Sequence, residues 1–134
     1  METRGFFLIC EILKLVKSQN KVTGNKGETL AAEYLEKKGY KIKERNFRTR
    51  FGEIDIVCSD GPTLVFVEVK TKIGHDFGEP EEMVNKRKLA QVKKMGEMYL
   101  QDKGLSVACR VDVVAIVLAS DNEIERLEHY QGVY

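Results

Sequence analysis

Residues 54–70 read Ile-Asp-Ile-Val-Cys-Ser-Asp-Gly-Pro-Thr-Leu-Val-Phe-Val-Glu-Val-Lys, and the fold turns on how this stretch pairs with itself. Ile54, Ile56 and Val57 are β-branched and suit a pleated strand. Asp60-Gly61-Pro62-Thr63 is turn chemistry. Leu64 to Thr71 is a near-continuous apolar run, interrupted only by Glu68 and Lys70. Two strands around a turn predict a hairpin. If residues 60–63 form a four-residue loop, Ser59 pairs with Leu64, and counting back sets Asp55 opposite Glu68. Directly opposed side chains share a face, with Cβ atoms about 4.5–5.5 Å apart. Lys70, two residues beyond Glu68, projects from that same face. Strands this apolar bury both faces, so charges within them need a partner, a proton or a cation. Register alone leaves two readings open: a cation held between the two acids, or an ion-pair cluster in which Lys70 neutralises both.

Outward from the hairpin, the elements follow from period and punctuation. Asn20 to Asn25 reads as a break. Leu30, Ala31, Tyr34 and Leu35 mark one face of a helix that stops at Gly39. Tyr40 to Phe47 alternates as a first strand, although its alternation fades after Glu44. Phe51 to Ser59 is the second strand and Leu64 to Thr71 the third. Lys72 to Pro80 is a loop, and Glu81 to Lys103 a long helix ended by Gly104. Val107 to Leu118 is another strand, and Asn122 to Tyr134 adds a short strand or helix. Short links predict an antiparallel meander. The long helix then crosses over, so that the following strand runs parallel to a neighbour.

Two further acids are candidates. Glu28 falls on the helical stripe of Ala31, Ala32 and Leu35, which faces the sheet. With Asn25 as N-cap, the same glutamate would sit at a capping-box position instead. Asp112 lies in a strand beside Arg110, and reads as a satisfied strand residue or as a member of the site. No histidine competes as a base, since His75 lies in the loop and His129 in the tail.

The chain has 134 residues, enough for one domain and too few for two. Its 43% apolar content suits a real core, and 2 Pro with 11 Gly exclude a collagenous or low-complexity chain. Cys10, Cys58 and Cys109 form no CxxC pair, which argues against a zinc knuckle and for a reducing cytoplasm. No apolar run approaches the roughly 20 residues of a membrane span or the h-region of a leader. Residues 1–20 carry Phe6, Ile9, Leu13 and Val16 at helical spacing and predict an extra N-terminal helix, packed on the domain or on a second copy. A membrane-surface helix is the other reading, with only Lys14 and Lys17 to support it. Residues 21–134 form the single domain.

Net charge is only +1, but the charges are segregated. Lys37 to Arg50 holds seven basic residues against Glu44 alone, and Lys86 to Lys94 holds five against none. Segregated cations suit a phosphate backbone, while solvated faces are the bland alternative. Arg45, Arg48, Arg50, Lys72, Lys86 and Lys88 are the candidate contacts. Nothing resembles a base-reading helix, so recognition by shape is expected.

Asp55 followed by Glu68-Val69-Lys70 resembles the bipartite motif of the PD-(D/E)xK nucleases. The chain is more closely similar to the YraN-type family of small bacterial proteins. The matching stretches are GNKGETLAAEYLEKKGYKI (24–42), RNFRTRFGEIDIV (45–57), LVFVEVKTK (64–72), FGEPEEMVNKRKLAQV (77–92) and RVDVVAI (110–116). Ile54 stands where the motif's name has proline. Archaeal Holliday-junction resolvases have a similar arrangement of helix glutamate, aspartate and ExK. The resemblance implies an α/β, restriction-endonuclease-like three-layer fold: a mixed four- to five-stranded sheet flanked by helices, in the order αβββαβ. It implies that Asp55, Glu68 and the backbone carbonyl of Val69 ligate magnesium or manganese. Glu28 would hold a metal-bound water or a second ion. Lys70 would orient or deprotonate the attacking water, or stabilise developing charge. The implied activity is hydrolysis of phosphodiesters in structured or branched DNA, with DNA expected over RNA and a homodimer among the implied partners. Two rivals stand beside it: a non-catalytic nucleic-acid-binding module of the same fold, acting with a repair, recombination or uptake partner, and an interaction protein whose carboxylates form salt bridges.

Overall fold

The computed structural model describes residues 21–74 and 78–134. The expected N-terminal helix over 1–20 and His75 lie outside the described residues. Residues 21–37 form helix α1. Then come strands β1 (Lys41–Thr49), β2 (Gly52–Asp60) and β3 (Thr63–Ile73), and a 3-10 turn (Pro80–Met83). Helix α2 (Lys86–Lys103) and strands β4 (Cys109–Leu118) and β5 (Ile124–Tyr130) complete the order. The five strands make one sheet in the order β1-β2-β3-β4-β5. Every neighbouring pair is antiparallel except β3–β4, which is parallel and spanned by α2.

The sheet sits between two helices. On one face Ala31, Ala32 and Leu35 of α1 pack on Val65, Val67 and Val69. On the other, Val92, Met95 and Tyr99 of α2 pack on Leu64 and Phe66. Alternate residues of β3 thus serve opposite cores, as strand geometry requires. The result is the expected three-layer α/β architecture with a mixed five-stranded sheet, its tail contributing a strand rather than a helix. No helix among the described residues is long and apolar enough to cross a membrane.

Three local expectations are corrected. The break at 20–25 is helix from residue 21 onward, so Asn25 is no N-cap and Glu28 is no capping-box residue. Tertiary packing overrides the poor propensity of Gly24 and Gly27. Gly27 is buried, and a Cβ there would lie 1.7 Å from Thr71 Oγ1, so its bareness lets α1 lie on β3. Helix α2 starts at Lys86 rather than Glu81, because Asn85 caps it by accepting the N–H of Lys88 at 2.9 Å. The β2–β3 turn has two residues, not four, since Asp60 itself pairs with Thr63. Gly61, at φ 58, supplies the positive φ that a II′ hairpin needs at its first central position. The register is unaffected.

Candidate metal and nucleic-acid site

The β2–β3 ladder runs from Asp60↔Thr63 through Ser59↔Leu64 to Ile56↔Val67, where it ends. The next pair would be Asp55 and Glu68, and here the strands part. Asp55 Oδ2 accepts the backbone N–H of Val69 at 2.8 Å, so a side chain replaces the ladder bond. Ile54 packs in the α2-side core and Ile56 in the α1-side core. Residues two apart on a flat strand share a face, so β2 twists sharply through Asp55. On β1, pairing passes from Arg45↔Ile56 to Phe47↔Ile54. Asn46, between them and opposite Asp55, adopts φ 55. Left-handed backbone is uncommon outside glycine, asparagine and aspartate, and such strain clusters at functional sites.

Asp55 and Glu68 meet in this fork, 7% and 6% exposed. The two carboxyl groups lie within hydrogen-bonding reach of one another. Burial first, then the Asp55 charge, pushes Glu68 up to about 8. Burial likewise raises Asp55, against the opposing pull of the Val69 N–H. Glu28 approaches from α1. Burial and the Asp55 charge raise it, while a hydrogen bond with the Asn46 side chain acts the other way. Its Oε2 is buried without a hydrogen-bond partner, an acceptor that a bound water or cation would satisfy.

Lys70 is half-buried on β3, close enough for its charge to act on Glu68. A second amine joins it: Lys88 Nζ, on the first turn of α2, stands 3.9 Å from Glu68 Oε1. Lys88 was expected among phosphate contacts, and the fold sets it beside the carboxylates. Glu53 is a further acid whose charge raises Glu28, Asp55 and Glu68 alike. Sequence reasoning missed Glu53, Asn46 and the Lys88 contact. The fading alternation after Glu44 was the available signal for Asn46. Glu53, two residues before Asp55, was open to the same period-two argument that placed Lys70, whereas the Lys88 contact depends on long-range packing that period and spacing do not report.

Among the described residues no three carboxylate, histidine or cysteine groups form a ready-made metal cage. Magnesium does not need one: it keeps several waters and is commonly held by one or two carboxylates. The hard-oxygen pair Asp55–Glu68, with the unpartnered Glu28 oxygen nearby, fits that pattern.

Two of the cationic candidates reach acids of this cluster: Arg45 acts on the charge of Glu28, and Arg48 pairs with Glu53. Arg45 donates to Thr29 Oγ1 at 3.2 Å, tying β1 to α1. Arg48 is 71% exposed and pairs with Glu53 at 3.0 Å. The Arg50 guanidinium lies 4.9 Å from the Phe51 ring centroid. Lys72 donates to the Gly78 carbonyl at 3.4 Å. Lys86 is exposed at the start of α2. Asp112 belongs to a different network. It is fully buried and bonded by Arg110 Nε (3.0 Å), His129 Nε2 (2.8 Å) and the Gly132 N–H (3.0 Å). Burial pushes its carboxyl up, but those bonds together hold it below the ordinary range. It is the satisfied strand residue, and His129 lies in β5 as its partner.

Residues 27–116 match the model of a family described as uncharacterised protein family UPF0102. A UPF0102 protein of Pelotomaculum thermopropionicum is 41% identical over 115 residues, covering 85% of this chain and 96% of that protein. One from Geobacter sulfurreducens is 47% identical over 116 residues, covering 86% and 90%. One from Syntrophomonas wolfei reaches 55% over 82 residues, covering 61% and 71%. The matched span contains the fork, with Glu28 and Lys88, and most of the β3–β4 pairing, and the chain belongs to the UPF0102 family.

Proposed function

We propose that this protein is a magnesium- or manganese-dependent phosphodiesterase of the PD-(D/E)xK type, restriction-endonuclease-like in fold, acting on structured or branched DNA. The observation that carries the reading is the burial of Asp55 and Glu68 against each other where β2 and β3 part. Two acids so placed destabilise the metal-free protein, and a cation reverses that sign. Asp55 and Glu68 are the ligands, with the Val69 carbonyl as a further oxygen. The unpartnered oxygen of Glu28 accepts from a bound water. When bound, magnesium supplies Lewis-acid polarisation of the phosphoryl oxygens. Lys70 orients the attacking water or meets charge developing on the phosphate. The surrounding arginines and lysines hold the DNA backbone in ground and transition state alike.

A second reading has one observation in its favour: Lys88 brings the protein's own cation to Glu68. In that case the cluster is a salt bridge on a binding or interaction module. Thermal unfolding separates the two. Magnesium or manganese should raise the melting temperature of the wild type. Asp55→Asn should be neutral or stabilising in chelator, since the amide oxygen still accepts from Val69, and should abolish the metal response. A clear loss of stability in chelator supports the salt bridge. Cleavage of a panel of branched, flapped, single-stranded and duplex DNA with each metal tests the activity itself.

A further inference from the structure

The tip of the β1–β2 hairpin is built more firmly than a connecting turn needs. The Phe51 N–H donates to Thr49 Oγ1 at 3.0 Å, and the Phe51 carbonyl accepts from Gln91 Nε2 of α2 at 3.0 Å. Gly52, at φ 148, lets the tip lie against that glutamine, because a Cβ there would stand 2.7 Å from Gln91 Nε2. The device fixes the backbone of Phe51 yet leaves the residue 53% exposed. The Arg50 guanidinium lies over its ring, and the residue lines a groove of about 340 Å³ with Arg87, Ala90, Gln91, Lys94 and Met95, on which the other ring face is free to take a base. A second groove of about 480 Å³ adjoins it through Arg87 and Gln91, and continues to Asn85 and Lys88. Lys88 is the residue that reaches Glu68. The aromatic platform and its cations thus run along α2 to Lys88, which links the second groove to the acidic fork.

We infer that this groove takes an unpaired nucleotide of the DNA substrate, its base stacked on Phe51 and its flanking phosphates held by Arg87 and Lys94. The chemistry favours single-stranded DNA. A solvated charge face needs no anchored aromatic, and a duplex offers no open base for one. Base–aromatic stacking combined with a cationic groove is how sequence-tolerant single-strand binding works. The inference rests on the reading of the fork as a DNA site and specifies which part of the DNA lies beside it. A tailed or flapped junction presents both a strand for Phe51 and a phosphodiester for the fork.

The chain contains no tryptophan, so Phe51→Trp introduces a single tryptophan at the platform, excited selectively over the tyrosines. In chelator, to prevent cleavage, oligodeoxythymidylate should quench its emission along the same isotherm that anisotropy of the labelled DNA reports. Phe51→Ala should weaken binding of single-stranded or tailed DNA by about 5- to 100-fold, and of blunt duplex by less than about twofold. Phe51→Trp should keep wild-type affinity. Unchanged emission on binding, or an equal loss on tailed and blunt DNA, overturns the inference while leaving the proposed activity standing. Failure of the wild type to bind any of these DNAs overturns the proposed function as well.

Discussion

Glu68 is the residue whose ionisation the fold opposes most openly. Its folded value, about 8, lies above the ordinary 4.5 because it is buried and faces Asp55. Between those values the folded protein holds a proton that the unfolded chain has released. Stability therefore falls as pH rises through that window. Asp55 and Glu28 are displaced in the same direction and add to the slope. In chelator the melting temperature should fall from about pH 5 to pH 8, and Glu68→Gln should flatten the fall. A profile that rises over this range would mean that the carboxylates are stabilised as anions by Lys70 and Lys88. Asp112 shows the contrast. It is the more deeply buried, yet its three donors keep it ionised, so it belongs to the scaffold.

At the level of elements, the approach of α1 to β3 sets where Glu28 stands. Gly27→Ala should destabilise by about 1–3 kcal/mol, since the added methyl overlaps Thr71. By displacing α1 it should also shrink the metal-induced rise in melting temperature. Gly24→Ala is the control. Its Cβ would meet nothing within 4 Å, so it should be neutral or stabilising by up to about 1 kcal/mol through helix propensity. Urea titrations with and without magnesium read both. The same glycines explain what was hidden from sequence. Asn20 to Asn25 reads locally as a break, and the packing of α1 on the sheet, with Gly27 against Thr71, is what the local sequence does not report. Likewise Glu81 to Val84 looked helical until Asn85 capped the helix below it. The hairpin was legible because turn residues and β-branched strands specify register, and register is enough to oppose Asp55 and Glu68. It could not reveal that the ladder opens there, that Asn46 takes a left-handed backbone, or that α2 delivers Lys88. Those depend on elements distant in the chain.

Across the whole molecule, the division of labour between fork and flanks is testable. Lys70 should matter where charge develops, and the exposed Arg48 where the backbone is held. Lys70→Ala should slow single-turnover cleavage with affinity nearly intact. Arg48→Ala should weaken binding and reduce the dependence of log affinity on log salt by about one unit. Binding isotherms at several salt concentrations beside single-turnover rates make the comparison. An equal loss of affinity with an unchanged rate for Lys70→Ala would make it one more phosphate contact.

The strand order β1-β2-β3-β4-β5 has a kinetic consequence. Strands adjacent in the chain are adjacent in the sheet, so only the α2 crossover requires a long closure. Low separation between partners favours early pairing of local hairpins. The β2–β3 hairpin would then form in the transition state, bringing Asp55 and Glu68 together before either helix has shielded them. Their repulsion then raises the barrier to folding as well as lowering the stability of the finished protein. Asp55→Asn should therefore refold faster than the wild type in stopped-flow experiments at pH 8 in chelator, while the part of its gain that comes from burial slows unfolding. Divalent cations present during refolding should produce the same acceleration in the wild type.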